Sequence, residues 1–327
     1  MSTCSDLCAA TASLQLSDAG IPPLSPEIGR TSWTSNVGNL GEPAQVPATP
    51  LLRLRDGNLI PQIGLGVLRV ENGQTADVVE GALRAGYRHI DAAAGYGNER
   101  EVGEGLKRLG FDKGELRKSL WITTKVKDTN QGYDSTLRAF DEQISDLGLE
   151  YVDMYMIHWP TPFDWRSADT WKAFRKLRSE GRIRTLGVCN FLPEHLERLA
   201  DEVGELPAVD QIELHPTFQQ RDVVEYCESK GIVVEAYEPL ARTADLHAGD
   251  GLIDRLAQAH QVSNAQIILR WHLQKGYVLI PKSVHLNRQV ENASILDFSL
   301  SDEEMAEIDS LNTATRVGHD PLTFSYA

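Results

Sequence analysis

Four side chains able to do acid–base chemistry stand at the ends of short apolar runs. Asp91 closes "HID", and Tyr96 follows five residues later, across the bland spacer Ala92, Ala93, Ala94 and Gly95. Lys125 closes "LWITTK" and His158 closes "VDMYMIH". A lysine ammonium at the rim of a buried strand is penalised by desolvation, and a carboxylate beside it offsets the penalty. Asp91 is the natural partner. A phenol near that ammonium has its phenolate stabilised, so its pKa falls from about 10 toward working pH. Tyr96 could then act as a general acid, and His158 could hydrogen-bond and orient a substrate. Lys125 could instead attack a carbonyl as a Schiff-base nucleophile. Each residue alone has a plainer reading: a solvated strand end, a helix cap or a satisfied core histidine. The convergence of four useful groups favours a site.

Positioning them requires alternating strands and helices. "LLRLRDGNLIPQIGLG" carries Asp56-Gly57 between alternating segments, a hairpin signal. With strand "QIGLGVL" and helix "TADVVEGALRAG" as the first pair and "YVLIPKS" as the last strand, about eight βα units follow, with Gly closing helix after helix. Near-continuous apolar strands imply a parallel sheet with helices outside it. There is no GxGxxG and no P-loop, so a doubly wound sheet is disfavoured and a TIM (β/α)8 barrel of roughly 250–280 residues is expected. Such a barrel carries its reactive groups at the C-terminal ends of its strands. Those ends supply Asp91, Lys125, His158, Cys189-Asn190, Gln211 to Glu213, Tyr237 and Lys282-Ser283.

Bulk properties narrow the partners. The 327 residues hold 32 Lys+Arg and 47 Asp+Glu, a formal charge of 32 − 47 = −15. So acidic a surface argues against nucleic acid and anionic membranes as partners. The four cysteines, Cys4, Cys8, Cys189 and Cys227, form neither a disulfide framework nor a zinc spacing. No metal is expected. No apolar run is long enough to span a membrane, and the start lacks the features of a signal peptide. The expectation is a monomer in a reducing cytoplasm. Residues 1–47, rich in Ser, Thr, Pro, Gly and Ala, read as a disordered tail, and 48–327 as the barrel.

"HIDAAAGYGNEREVG", "TTKV", "DMYMIHWP", "GVCNF", "QIELHP", "EAYEPL" and "IPKSVHLNRQVENASILDFSLS" together resemble the aldo-keto reductases, most of all the bacterial branch with 2,5-diketo-gluconic acid and methylglyoxal reductases. The likeness runs from about Leu51 to the C-terminus. It implies reduction of aldehydes or ketones by NADPH without a metal, with Asp91, Tyr96, Lys125 and His158 as the catalytic set. It places Cys189, Asn190 and Gln211 at the nicotinamide amide, with Tyr237 stacked on the ring and Leu240 in the following loop. Lys282, Ser283, Val284 and Arg288 would hold the 2′-phosphate, and Glu291 and Asn292 the adenine. Two cations and a hydroxyl at a strand-to-helix junction suit a phosphate on physical grounds too. Val67, Leu68, Trp159 and the Lys127-Asp128 loop would line the substrate pocket, with "RVGHDPLTFSYA" folding over it and bringing His319 or Phe324 near.

Three positions depart from the family pattern. Ala92 replaces a Thr or Ser, Cys189 a Ser, and Glu238 the Ser of "SPL". Glu238 near the pyrophosphate should weaken NADPH by like-charge repulsion. Besides the reductase, two alternatives stand: a non-catalytic NADPH-binding sensor on the same barrel, and a Schiff-base lyase using Lys125, against which the 2′-phosphate site counts.

Overall fold

The computed structural model describes residues 49–325. The expected tail, with Cys4 and Cys8, lies outside the described residues. The chain enters through an antiparallel hairpin of β1 (Leu51–Arg53) and β2 (Leu59–Pro61), paired Leu51 to Pro61. Its turn is held by the Asp56 carboxylate, which accepts from the Asn58 amide at 3.0 Å, as an Asx turn does.

Eight parallel strands follow: β3 (Leu65–Gly66), β4 (His89–Asp91), β5 (Trp121–Val126), β6 (Val152–Ile157), β7 (Ile183–Cys189), β8 (Val209–Glu213), β9 (Val233–Tyr237) and β10 (Val278–Leu279). Each pairs with its neighbour in sequence. The ring closes where Ile63 bridges Leu279 in parallel and the Leu279 amide donates to Gln62 O at 2.9 Å. This is the expected barrel. Every residue of β5 and β6 is buried, which is why neither strand shows the apolar–polar alternation of a sheet with one wet face.

The helices wrap the outside: α1 (Thr75–Ala85), α2 (Glu99–Arg108), α3 (Gly114–Lys118), α4 (Tyr133–Leu147), α5 (Ser167–Ser179), α6 (Pro193–Val203), α7 (Arg221–Ser229), α8 (Leu252–His260), α9 (Asn264–Gln274), α10 (Leu286–Ala293) and α11 (Asp302–Asp309). In α2 the buried stripe is Val102, Gly103 and Leu106, with Arg100, Glu104 and Lys107 facing out, the spacing of an amphipathic helix. Gly103 lets α2 meet the end of α4, since a Cβ there would overlap Leu147 O. Ser263 and Ser301 open α9 and α11 with capping boxes to Gln266 and Glu304.

Two expectations need correction. The first and last barrel strands are two residues each, not "QIGLGVL" and "YVLIPKS". Gly66 sits so close to Ile280 O that a Cβ would be 3.0 Å away, and the chains there close the barrel rather than run on as a ladder. Helices α3 and α8 were not foreseen. The first is only five residues long, and the second starts directly after Gly249, Asp250 and Gly251.

Candidate active site

The C-terminal mouth of the barrel brings Asp91, Tyr96, Lys125 and His158 together. Lys125, fully buried near the end of β5, donates to Asp91 Oδ1 and Oδ2, both at 2.7 Å, to Ala92 O at 3.1 Å and to Tyr96 Oη at 3.1 Å. An ammonium has three protons and no lone pair, so it is fully committed to the carboxylate, a carbonyl and the phenol. Tyr96 lies on a 3-10 turn, Ala94–Tyr96, that begins three residues after β4 and is half-buried. Its ring meets the His158 ring edge-on, with centroids 5.7 Å apart. Burial, reinforced by the Lys125 charge, holds the His158 pKa well below the ordinary imidazole value, so the ring is neutral and can both give and accept a hydrogen bond.

A second layer, which sequence reasoning missed in part, lies beneath. Gln211 on β8 donates to Asp91 Oδ1 at 2.9 Å. Glu235 on β9 is fully buried, and neither carboxyl oxygen has a hydrogen-bond partner among the described residues. Burial and then the Asp91 charge push its pKa up to about 8, against the pull of Lys125. His89 Nε2 lies 3.7 Å from Glu235 Oε1, and burial brings His89 down to about 3. The available signal was a lone Glu inside the apolar strand "IVVEAY".

On the far side of the mouth, Asn190 adopts a left-handed φ of 65° and donates to His158 O at 3.0 Å and Cys189 Sγ at 3.1 Å. Tyr237 Oη donates to Asn190 Oδ1 at 2.7 Å. Cys189 donates weakly to Gln211 Oε1 at 3.6 Å, and burial keeps it a thiol. Asn190, Gln211 and Tyr237 thus form one connected cluster of amides and a phenol beside the acid–base set.

The proposed phosphate-binding residues lie around the start of α10. Lys282 and Arg288 are exposed. Ser283 is buried, its hydroxyl accepting from the His285 amide at 3.1 Å. Val284 is half-buried and packs on the core. Asn292 is buried, whereas Glu291 accepts a hydrogen bond from Ser263 Oγ, so its carboxylate is already engaged by the α9 cap. Two cations with a hydroxyl at a helix N-terminus form a donor set that fits a phosphate monoester. Leu240 is half-buried in the loop after β9 and packs on the core. In that loop Glu238, at φ 49°, receives the Arg242 guanidinium on Oε1 at 2.7 Å. The bare carboxylate expected from sequence is half of an ion pair, and its i,i+4 spacing to Arg242 was readable.

Val67 is buried, with its carbonyl taken by Asn98 Nδ2 at 3.0 Å. Leu68 is half-buried, as is Lys127, while Asp128 is buried. Trp159 is buried under the C-terminal segment, its ring 4.5 Å from that of Phe324 and 6.3 Å from that of His319. Among the described residues no group of three His, Cys, Asp or Glu is arranged to hold a metal ion, and no helix is long and apolar enough to cross a membrane.

Fold and site together describe a (β/α)8 barrel with an Asp–Lys–Tyr set at its C-terminal mouth. The Aldo/keto reductase family profile matches residues 62–313. The chain is 45% identical over 277 residues to an aldo-keto reductase of Mycobacterium sp. (strain JLS), covering 85% of this chain and 98% of that one. It is 44% identical over 271 residues to glyoxal reductase of Bacillus subtilis (strain 168), covering 83% and 95%. A crystal structure of a Gox0644 variant in complex with NADPH superposes with a TM-score of 0.80 at 40% identity, covering 86% of this chain and all of that one. The chain belongs to the aldo/keto reductase family, oxidoreductases that act on small carbonyl compounds.

Proposed function

We propose that this chain reduces aldehydes or ketones to alcohols using NADPH, with Tyr96 as the general acid. The observation that carries this reading is the Lys125 ammonium 3.1 Å from Tyr96 Oη and 2.7 Å from both Asp91 oxygens. NADPH, when bound, supplies the hydride. The protein's part is to deliver a proton to the carbonyl oxygen as negative charge develops there. Tyr96 gives that proton, and the ammonium stabilises the phenolate left behind. Asp91 pairs with Lys125 inside the barrel and fixes its position, and the neutral His158 offers a hydrogen bond that orients the carbonyl. Asn190, Gln211 and Tyr237 suit a carboxamide and a flat ring; Lys282, Ser283 and Arg288 suit the 2′-phosphate that distinguishes NADPH from NADH. Val67, Leu68 and Trp159 form the apolar side of the substrate pocket. The lyase alternative is disfavoured because an ammonium bound to a carboxylate lacks the free electron pair a Schiff base requires.

The relatives' names favour small dicarbonyls as first substrates to try. The unit that acts is residues 48–327, working as a monomer in the cytoplasm. The test is NADPH and NADH oxidation with a panel that includes glyoxal, methylglyoxal and simple aldehydes. Turnover with NADPH is expected. Stoichiometric binding of NADPH without turnover across the panel would favour the sensor reading instead.

A further inference from the structure

"QIELHP" contributes Gln211 to the site, but Glu213 and His215 remain unexplained. Both are fully buried. His215 Nε2 lies 3.1 Å from Glu213 Oε1 and Nδ1 lies 3.0 Å from Asp245 Oδ2. Carboxylates only accept, so both ring nitrogens must carry hydrogen and His215 is an imidazolium. Burial alone would lower its pKa, but the bonds and charges of Asp245 and Glu213 outweigh burial and raise it above 6.5. The other charged or titratable groups nearby are Arg316, 3.9 Å from Glu213, Tyr237 and His272.

Each carboxylate also grips a loop. Glu213 accepts from the Val317 amide at 2.6 Å and the Gly318 amide at 2.8 Å. Asp245 accepts from the amide and hydroxyl of Thr217, at 3.0 and 2.8 Å. Thr217 O in turn receives the amides of Thr313 and Thr315. Asp245 belongs to the Ala241–His247 segment that follows β9. His319 follows Gly318 directly and Phe324 lies five residues further on, the two rings stacked at 4.0 Å with Phe324 against Trp159.

We propose that Glu213, His215 and Asp245 are positioning residues, an ionic lock that ties the C-terminal segment to the loop after β9 and holds the His319–Phe324 cover over Trp159, so setting which carbonyl substrates fit. The proposal rests on the carbonyl-reductase reading for its substrate. The lock itself does not. Two charges buried together are retained only while both sides stay paired, so weakening the centre frees both loops. Gly318 offers a separate handle, because a Cβ there would sit 2.5 Å from Glu213 Oε2.

The test uses the full chain with His215→Gln and with Gly318→Ala, the latter on the half-buried C-terminal segment. Amide hydrogen exchange at Val317 and at position 318 should speed up by about tenfold or more in both variants. With NADPH and 4-nitrobenzaldehyde, KM should rise about fivefold or more with kcat held within about twofold, and the selectivity for this aldehyde over methylglyoxal should fall accordingly. Unchanged exchange in Gly318→Ala overturns the lock. Equal losses for both aldehydes, carried by kcat, overturn the positioning role. If the wild type turns over neither aldehyde, the reductase reading fails and the exchange measurement still decides the lock.

Discussion

The protons of Lys125 reach Asp91, Tyr96 and the Ala92 carbonyl. A backbone carbonyl is supplied by any residue, so the methyl of Ala92 costs this contact nothing. Glu238 is the departure with an electrostatic consequence, and Arg242 cancels its charge. The pair is neutral overall, so cofactor binding should lose little from it. Glu238→Ser should tighten NADPH by about fivefold, the effect of one unit charge at several ångströms near the surface. Arg242→Ala should weaken it comparably, and the double variant should return to near the wild-type dissociation constant. A double variant that binds much more tightly than wild type would mean that Arg242 does not offset Glu238 at the cofactor. Asp91, Tyr96, Lys125 and His158 were legible because each closes an apolar strand or follows one. Glu235 and the His215 pair were not, because their meaning lies in which strands become neighbours around the barrel.

At the level of elements, Glu99 at the start of α2 links helix to sheet. Its carboxylate accepts from Thr124 Oγ1 on β5 and from Gln143 Nε2 on α4, and burial, opposed by those two bonds, pushes its pKa up to about 7. The unfolded chain ionises this group near 4.5. Stability is therefore lost as pH rises from about 4.5 to about 7, by at most about 3 kcal/mol, and no further above that. Glu99→Gln keeps an acceptor for Thr124 and removes the titration. Its Tm relative to wild type should be several degrees more favourable at pH 8 than at pH 5. The same difference at both pH values would refute an ionisable Glu99 in the fold. Most helices were readable from apolar spacing and closing glycines, as in α6 and α7. The short strands β3 and β10 were overread because the apolar run continues past the point where Gly66 and Ile280 come together to close the ring.

Over the whole molecule, a charge of −15 discourages self-association unless an apolar face compensates. The large exposed apolar side chains among the described residues, Leu59, Tyr133, Phe163, Leu286 and Leu322, lie on separate elements. Sedimentation velocity at physiological salt should therefore give a single species of about the chain mass, 36.3 kDa. A concentration-dependent dimer would contradict the monomer. The barrel class was legible because eight βα units leave few other solutions; the substrate was not, because it is set by the mouth loops and the C-terminal cover, whose shape is a tertiary property. The central claim is proton delivery by Tyr96, and the most direct measurement is methylglyoxal reduction by wild type and Tyr96→Phe at saturating NADPH, together with the NADPH dissociation constant of each. Tyr96→Phe should lose activity by about 10²–10⁴-fold while binding NADPH within about threefold of wild type. Equal turnover by the two proteins would contradict the account.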